Sequence, residues 1–177
     1  MIDIHDHVLA DPDGYRAAAL RLPFQSVCFG PVTFHGIMLP PTSAFVDWFA
    51  HMYPDYLPTL TFLRRSPAGQ IEPNFIHTDV DMGDVTALLY LNPAPPEGDG
   101  TRFWRWLTNG AVSGGILTGD AGKRLEDWTL ETHVAARFNR SVVFAAPRFH
   151  SRALADNYGE GDDARLVQVL FARWKEI

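Results

Sequence analysis

The pattern of apolar and polar positions changes character once along the chain. The opening "IDIHDHVL" alternates with a period of two and predicts a short strand. A helix is predicted next over "GYRAAALRL", capped by Asp11 or Asp13, with Pro12 tolerated in its first turn. A second is predicted from Thr42 or Ser43, where "TSAFVDWFAHMY" places Phe45, Trp48, Phe49 and Met52 at helical spacing until Pro54 ends it. Those aromatics read as core. From Tyr56 onward the chain breaks into short runs divided by Pro, Gly and Asn: "YLPTLTFLRR", "IEPNFIHTDV", "VTALLYLN", "TRFWRWL", "SVVFAA" and "ARLVQVLFAR". Short strands with frequent turn signals predict an antiparallel sandwich or barrel rather than alternating βαβ units. The segment "DAGKRLEDWTLETHVAARF" is expected to interrupt them as a helix or long loop. "NPAPPEGDG" lies between two apolar runs and reads as a connection within a sheet. The expected organisation is therefore one domain over 1–177, with N-terminal helical support over 1–55 and a β core over 56–177.

Composition narrows the function. With 177 residues, 46% hydrophobic and 12% aromatic, the chain can close one sizeable core. Its formal charge of -6, without a long run of like charge, argues against a surface that tracks phosphates, so a nucleic-acid partner is not expected. A small or neutral substrate fits better. The single cysteine, Cys28 in "SVCFG", can form no intramolecular disulfide and is expected in the core, a usage that suits a reducing compartment. The N-terminus lacks the basic and apolar regions of a signal peptide, and no stretch approaches the roughly 20 apolar residues of a membrane helix. The expectation is a soluble cytoplasmic protein.

Candidate chemistry begins at "IHTDVDMGDVTALLYLN". A strand sends residues i and i+2 to one face, which would bring His77 and Asp79 to one point, whereas a helix would separate them. Pro73 upstream and Gly83 downstream favour the extended alternative. Two imidazoles and one carboxylate on one face are the ligand set of non-haem Fe(II) oxygenases, with positions left open for cosubstrate and oxygen. His150, after the strand-like "SVVFAAP", is the best third ligand, with His133 in "LETHVAARF" as its competitor. Asp3, His5 and His7 share the i, i+2 spacing and form a rival cluster.

The ordered set of His77-x-Asp79, "TALLYLN" (86–92), "GDGTRFW" (98–104), His150 and Arg165 at the head of "RLVQVLF" resembles the 2-oxoglutarate- and Fe(II)-dependent dioxygenases, most nearly their prolyl-hydroxylase-like branch. The resemblance covers about residues 70 to 175. It implies a double-stranded β-helix, or jelly roll, mainly β with flanking helices, in which His77, Asp79 and His150 hold Fe(II). It further implies 2-oxoglutarate and O2 as cosubstrates, with succinate and CO2 as co-products of a hydroxylation. Arg165 would meet the distal carboxylate of 2-oxoglutarate, a task suited to a planar guanidinium that stays charged when buried. Tyr90 matches the branch's tyrosine that hydrogen-bonds the cosubstrate, and Thr86 shares its strand face. A carboxylate at Asp79 favours hydroxylation over halogenation. Two departures stand out: Arg165 follows His150 by 15 residues with the polar "ADNYGEGDD" between them, leaving Arg152 and Arg148 as rivals, and the branch's double glycine is here "GDG". Asn74, Arg102 and Trp104 are placed near a substrate, which is expected to be a small molecule or an amino-acid or peptidyl residue. The segment from Thr108 to Arg137 is a candidate lid. The competing class is a metal-binding cupin-like jelly roll that turns over no 2-oxoglutarate, for which an arginine aimed at a second carboxylate has no use.

Overall fold

The computed structural model describes residues 1–29, 32–71 and 74–176. Pro73 lies outside them. In chain order the elements are β1 (Ile2–Asp6), α1 (Pro12–Leu20), β2 (Gln25–Phe29), β3 (Val32–Met38), α2 (Ala44–Met52), β4 (Tyr56–Ser66), β5 (Val85–Tyr90), β6 (Gly100–Trp106), β7 (Trp128–Ala135), β8 (Arg140–Ala145), β9 (His150–Arg152) and β10 (Arg165–Trp174). The ten strands among the described residues form a seven-stranded sheet, in the order β1-β8-β5-β10-β4-β3-β2, and a three-stranded sheet, β7-β6-β9. Every pairing between them is antiparallel. The antiparallel pairing is what the run of short strands predicts, and the mainly β, jelly-roll architecture is the one the resemblance implies.

Local chemistry sets both helices. The Asp11 side chain accepts a hydrogen bond from Gly14 N at 2.9 Å, and Pro12 occupies the first turn of α1, where its missing N–H costs nothing. On α2, Phe45 and Phe49 lie one turn apart and are fully buried against the large sheet. There they meet Leu63, Leu89 and Leu170.

The period of two divides the long strands cleanly. On β5, Val85, Ala87 and Leu89 face the helices, while Leu88 and Tyr90 face the lumen between the sheets, where they join Phe103, Val142, Phe144 and Val167. Thr86 shares the lumen side. The outer face of the small sheet carries a third cluster of Ile76, Trp104, Trp128 and Phe149, with Trp106 stacked on Trp128 at 5.3 Å between centroids.

Three expectations need correction. Residues 120–138 do not form a helix: after a 3-10 turn at Leu125–Asp127 they enter β7, because Thr129, Thr132 and Val134 have a backbone partner waiting in β6. The N-terminal third is not only helical support, since β1, β2 and β3 extend the large sheet on both sides. Cys28 is exposed on the outermost strand, 3.6 Å from Thr33 Oγ1, and takes no part in the core. Among the described residues no helix is long and apolar enough to cross a membrane.

Candidate metal centre

His77 stands in an extended segment held from two sides. It exchanges backbone hydrogen bonds with His150 at 2.9 and 3.0 Å, and Asp79 N donates to Ala146 O at 2.9 Å. Ile76 N donates to Gly122 O at 2.9 Å. The segment thus runs beside β9 as an added edge of the small sheet, so that the i, i+2 geometry does bring His77 and Asp79 to one side.

Among the described residues, His77, Asp79 and His150 place one potential ligand atom each within 4.8 Å of one another. His77 Nε2 is 3.6 Å from Asp79 Oδ1, and His150 Nε2 is 3.3 Å from Asp79 Oδ2. Each imidazole binds a carbonyl two residues behind it through Nδ1: His77 to Phe75 O and His150 to Arg148 O, both at 2.9 Å. A carbonyl can only accept, so in both rings Nδ1 carries a proton and Nε2 is the nitrogen turned toward Asp79. Thr86 Oγ1 donates to Asp79 Oδ2 at 2.8 Å and fixes the carboxylate.

The electrostatics suit a cation. Burial pulls the His77 imidazole down to about 4, helped by the neighbouring His150, so the ring is neutral and free to ligate near neutral pH. Burial alone would raise the Asp79 carboxyl, but His150 and His77 beside it, with the Thr86 hydroxyl, hold it below the usual carboxylate range. Two imidazoles and one carboxylate are a donor set that fits Fe(II). Phe144 stands 4.6 Å and Phe103 6.5 Å from the His150 ring, and these rings keep water from that side.

Deeper in the lumen, Tyr90 pairs across the sheet with Val167, and its hydroxyl lies 2.7 Å from Thr101 Oγ1. Burial pushes that hydroxyl up to about 12. Arg165, two residues before Val167 on the same face, is buried, and its Nε donates to Asp99 Oδ1 at 3.1 Å. Asp99 also accepts from Gly100 N and from the Tyr158 hydroxyl, each at 2.8 Å.

The rival arginines are engaged elsewhere. Arg152 binds the carbonyls of Leu154 and Ala155 and the Asn157 side chain, pinning its own loop. Arg148 pairs with Glu131, which Arg105 also meets at 3.0 Å, and its guanidinium lies 5.7 Å over the Phe103 ring. His133 lies exposed on β7 opposite Arg102, apart from the triad. In the N-terminal cluster the Tyr53 hydroxyl accepts from His5 Nε2 at 2.8 Å and donates to Asp3 Oδ2 at 3.1 Å, and His7 is exposed. Arg102 and Trp104 point to the outer face of β6, where Trp104 Nε1 donates to Ser151 Oγ, so neither lines the lumen. Asn74 is exposed and donates to Leu154 O at 3.0 Å. Thr86 is committed to Asp79 rather than free for a cosubstrate. The segment after Thr108 packs on the small sheet through Ala111 and Leu117, and Thr78 Oγ1 donates to Gly115 O. Sequence reasoning overlooked Asp99 and Tyr158; the aspartate in "GDG", where the family has glycine, was the available signal.

No protein-family model and no curated protein matches the chain, but solved structures do. AviO1 from Streptomyces viridochromogenes Tue57 is 17% identical, over 96% of this chain and 87% of that one, with a TM-score of 0.61. The epimerase SnoN, solved with Fe3+ and alpha-ketoglutarate, is 14% identical over 97% and 78%, with a TM-score of 0.59. The viral collagen prolyl hydroxylase of Paramecium Bursaria Chlorella virus-1 is 15% identical over 99% and 90%, with a TM-score of 0.55. The chain thus has the fold of the 2-oxoglutarate- and iron-dependent oxygenases, and a prolyl hydroxylase is among the proteins that share it.

Proposed function

We propose that the chain is an Fe(II)- and 2-oxoglutarate-dependent oxygenase that hydroxylates an unactivated carbon of a small molecule or of an amino-acid or peptidyl residue. The observation that carries this reading is the meeting, in one lumen, of the His77, Asp79 and His150 ligand set with a buried arginine beside a buried tyrosine. His77, Asp79 and His150 would hold the iron, which with 2-oxoglutarate and O2 supplies the oxidising power for C–H hydroxylation. The chain's own part is to position and exclude. Phe75 and Arg148 carbonyls fix the two imidazole tautomers, Thr86 aims the carboxylate, and Phe103 and Phe144 wall the centre. Arg165 and Tyr90 would receive the distal carboxylate of 2-oxoglutarate. A reducing, cytoplasmic setting, in keeping with the exposed thiol of Cys28, would keep the iron ferrous.

One observation favours a second reading, a metal-binding jelly roll without 2-oxoglutarate turnover: Arg165 already has a carboxylate partner within the protein. Anaerobic titration with Fe(II) and then 2-oxoglutarate separates the two. The first reading expects the weak visible charge-transfer band of a chelated keto acid, and expects its loss in Arg165→Leu made together with Asp99→Asn, with iron affinity retained. Iron binding without the band supports the second reading. His77→Ala or Asp79→Ala should abolish tight iron binding; retention would move the metal to the Asp3 and His5 cluster.

A further inference from the structure

The two places where the sequence departs from its family pattern, the aspartate in "GDG" and the inserted "ADNYGEGDD", meet at one point. Asp99 comes from the first and Tyr158 from the second, and Asp99 bridges Tyr158 to Arg165. The ion pair is enclosed: the side chains of Arg165 and Asp99 are 10% and 1% exposed. Charges there feel each other far more strongly than at a surface.

The contact uses one edge of the guanidinium. Asp99 Oδ1 takes Nε, while Oδ2 is turned to Tyr158. Arginine offers five N–H groups in a fork, enough for two carboxylates on different edges. Neither terminal nitrogen of Arg165 has a hydrogen-bond partner among the described residues. A dicarboxylate arriving from the metal side would therefore find a donor edge, but one whose positive charge is already balanced. Gly100 N and Tyr158 hold Asp99 in place, so it cannot simply swing aside. Two carboxylates would then share one buried cation.

We propose that Asp99 is an internal competitor for Arg165, a specificity-determining residue that lowers the advantage of a charged cosubstrate tail over an uncharged one. The inference rests on the oxygenase reading above and concerns only how strongly the keto acid's far end is selected. It predicts that this chain distinguishes 2-oxoglutarate from 2-oxopentanoate, which has the same length and a methyl terminus, less sharply than Arg165 alone would allow.

The test is an anaerobic titration of the Fe(II)-loaded protein with each of these two acids, following the charge-transfer band for the dissociation constant. Asp99→Asn keeps the shape and an acceptor for Nε and Gly100 N while removing the charge. It should tighten 2-oxoglutarate about tenfold or more, the scale of one like-charge contact in a partly buried site, and leave 2-oxopentanoate unchanged. Tyr158→Phe frees Oδ2 to take a second guanidinium hydrogen, so it should weaken 2-oxoglutarate and provides the opposite sign should Asp99→Asn fold poorly. If Asp99→Asn weakens 2-oxoglutarate, or shifts both acids equally, Asp99 merely supports Arg165 and the inference is overturned while the oxygenase reading stands. If neither acid gives a band with any of the proteins although iron binds, the oxygenase reading fails and takes this inference with it.

Discussion

Each imidazole of the triad has one nitrogen committed to a carbonyl two residues behind it, so the tautomer is written into local backbone geometry before any ion arrives. The same packing makes His77 a pH reporter. Its folded pKa, about 4, lies below the ordinary 6.5, so an unfolded chain takes up a proton across that interval that the native state refuses. For this group stability therefore falls as pH drops from about 6.5 to about 4. Urea midpoints of the metal-free protein should show that slope, and His77→Gln should flatten it. Thr86→Val removes the hydrogen bond to Asp79 with little change of shape, and calorimetric titration should show metal affinity weakened about 10- to 100-fold, the usual effect of losing a partner of a ligand. His77, Asp79 and His150 could be picked out in the sequence because their residue types and order carry the chemistry. The partner of Thr86 could not, since it depends on how the segment before β5 docks against Ala146.

Elements differ in how far they announce themselves. The two helices were legible because caps and periodicity are local, and Phe49→Ala should destabilise the protein by about 3–5 kcal/mol in chemical denaturation, emptying a fully buried site. β7 was not legible, for its strand character comes from pairing with β6, and β2 and β3 were missed because their hairpin is short and largely exposed at the end of the large sheet. The segment bearing His77 is not a regular strand, and one of the contacts that hold it is a close approach of two backbones. A Cβ on Gly122 would sit 1.9 Å from Ile76 O, so Gly122→Ala must push residues 76–79 away. Metal titration should then show weaker binding with the secondary-structure content, read by circular dichroism, unchanged. The Arg165 and Asp99 pair gives a further test. Arg165→Leu alone strands a buried charge and should cost about 3–5 kcal/mol, whereas adding Asp99→Asn should recover much of it.

For the molecule as a whole, the short apolar runs with turn signals between them made an antiparallel sandwich or barrel readable, and the ordered set of residues from His77 to Arg165 carried the resemblance that implies a jelly roll. Which strands share a sheet was beyond reach, since that is decided by contacts between residues a hundred or more positions apart, as where β1 joins β8.

β10, running from Arg165 to Trp174, is hydrogen-bonded on one side to β5 and on the other to β4. During synthesis both neighbours emerge well before the strand that must lie between them, leaving each with an unpaired edge. The large sheet therefore cannot close until β10 has left the exit tunnel, and the lumen forms only then. Folding should be slow, in the millisecond-to-second range of chains dominated by distant pairings. Stalled nascent chains ending before Arg165 should remain sensitive to protease, and those with an appended linker long enough to carry Trp174 clear of the tunnel should resist it.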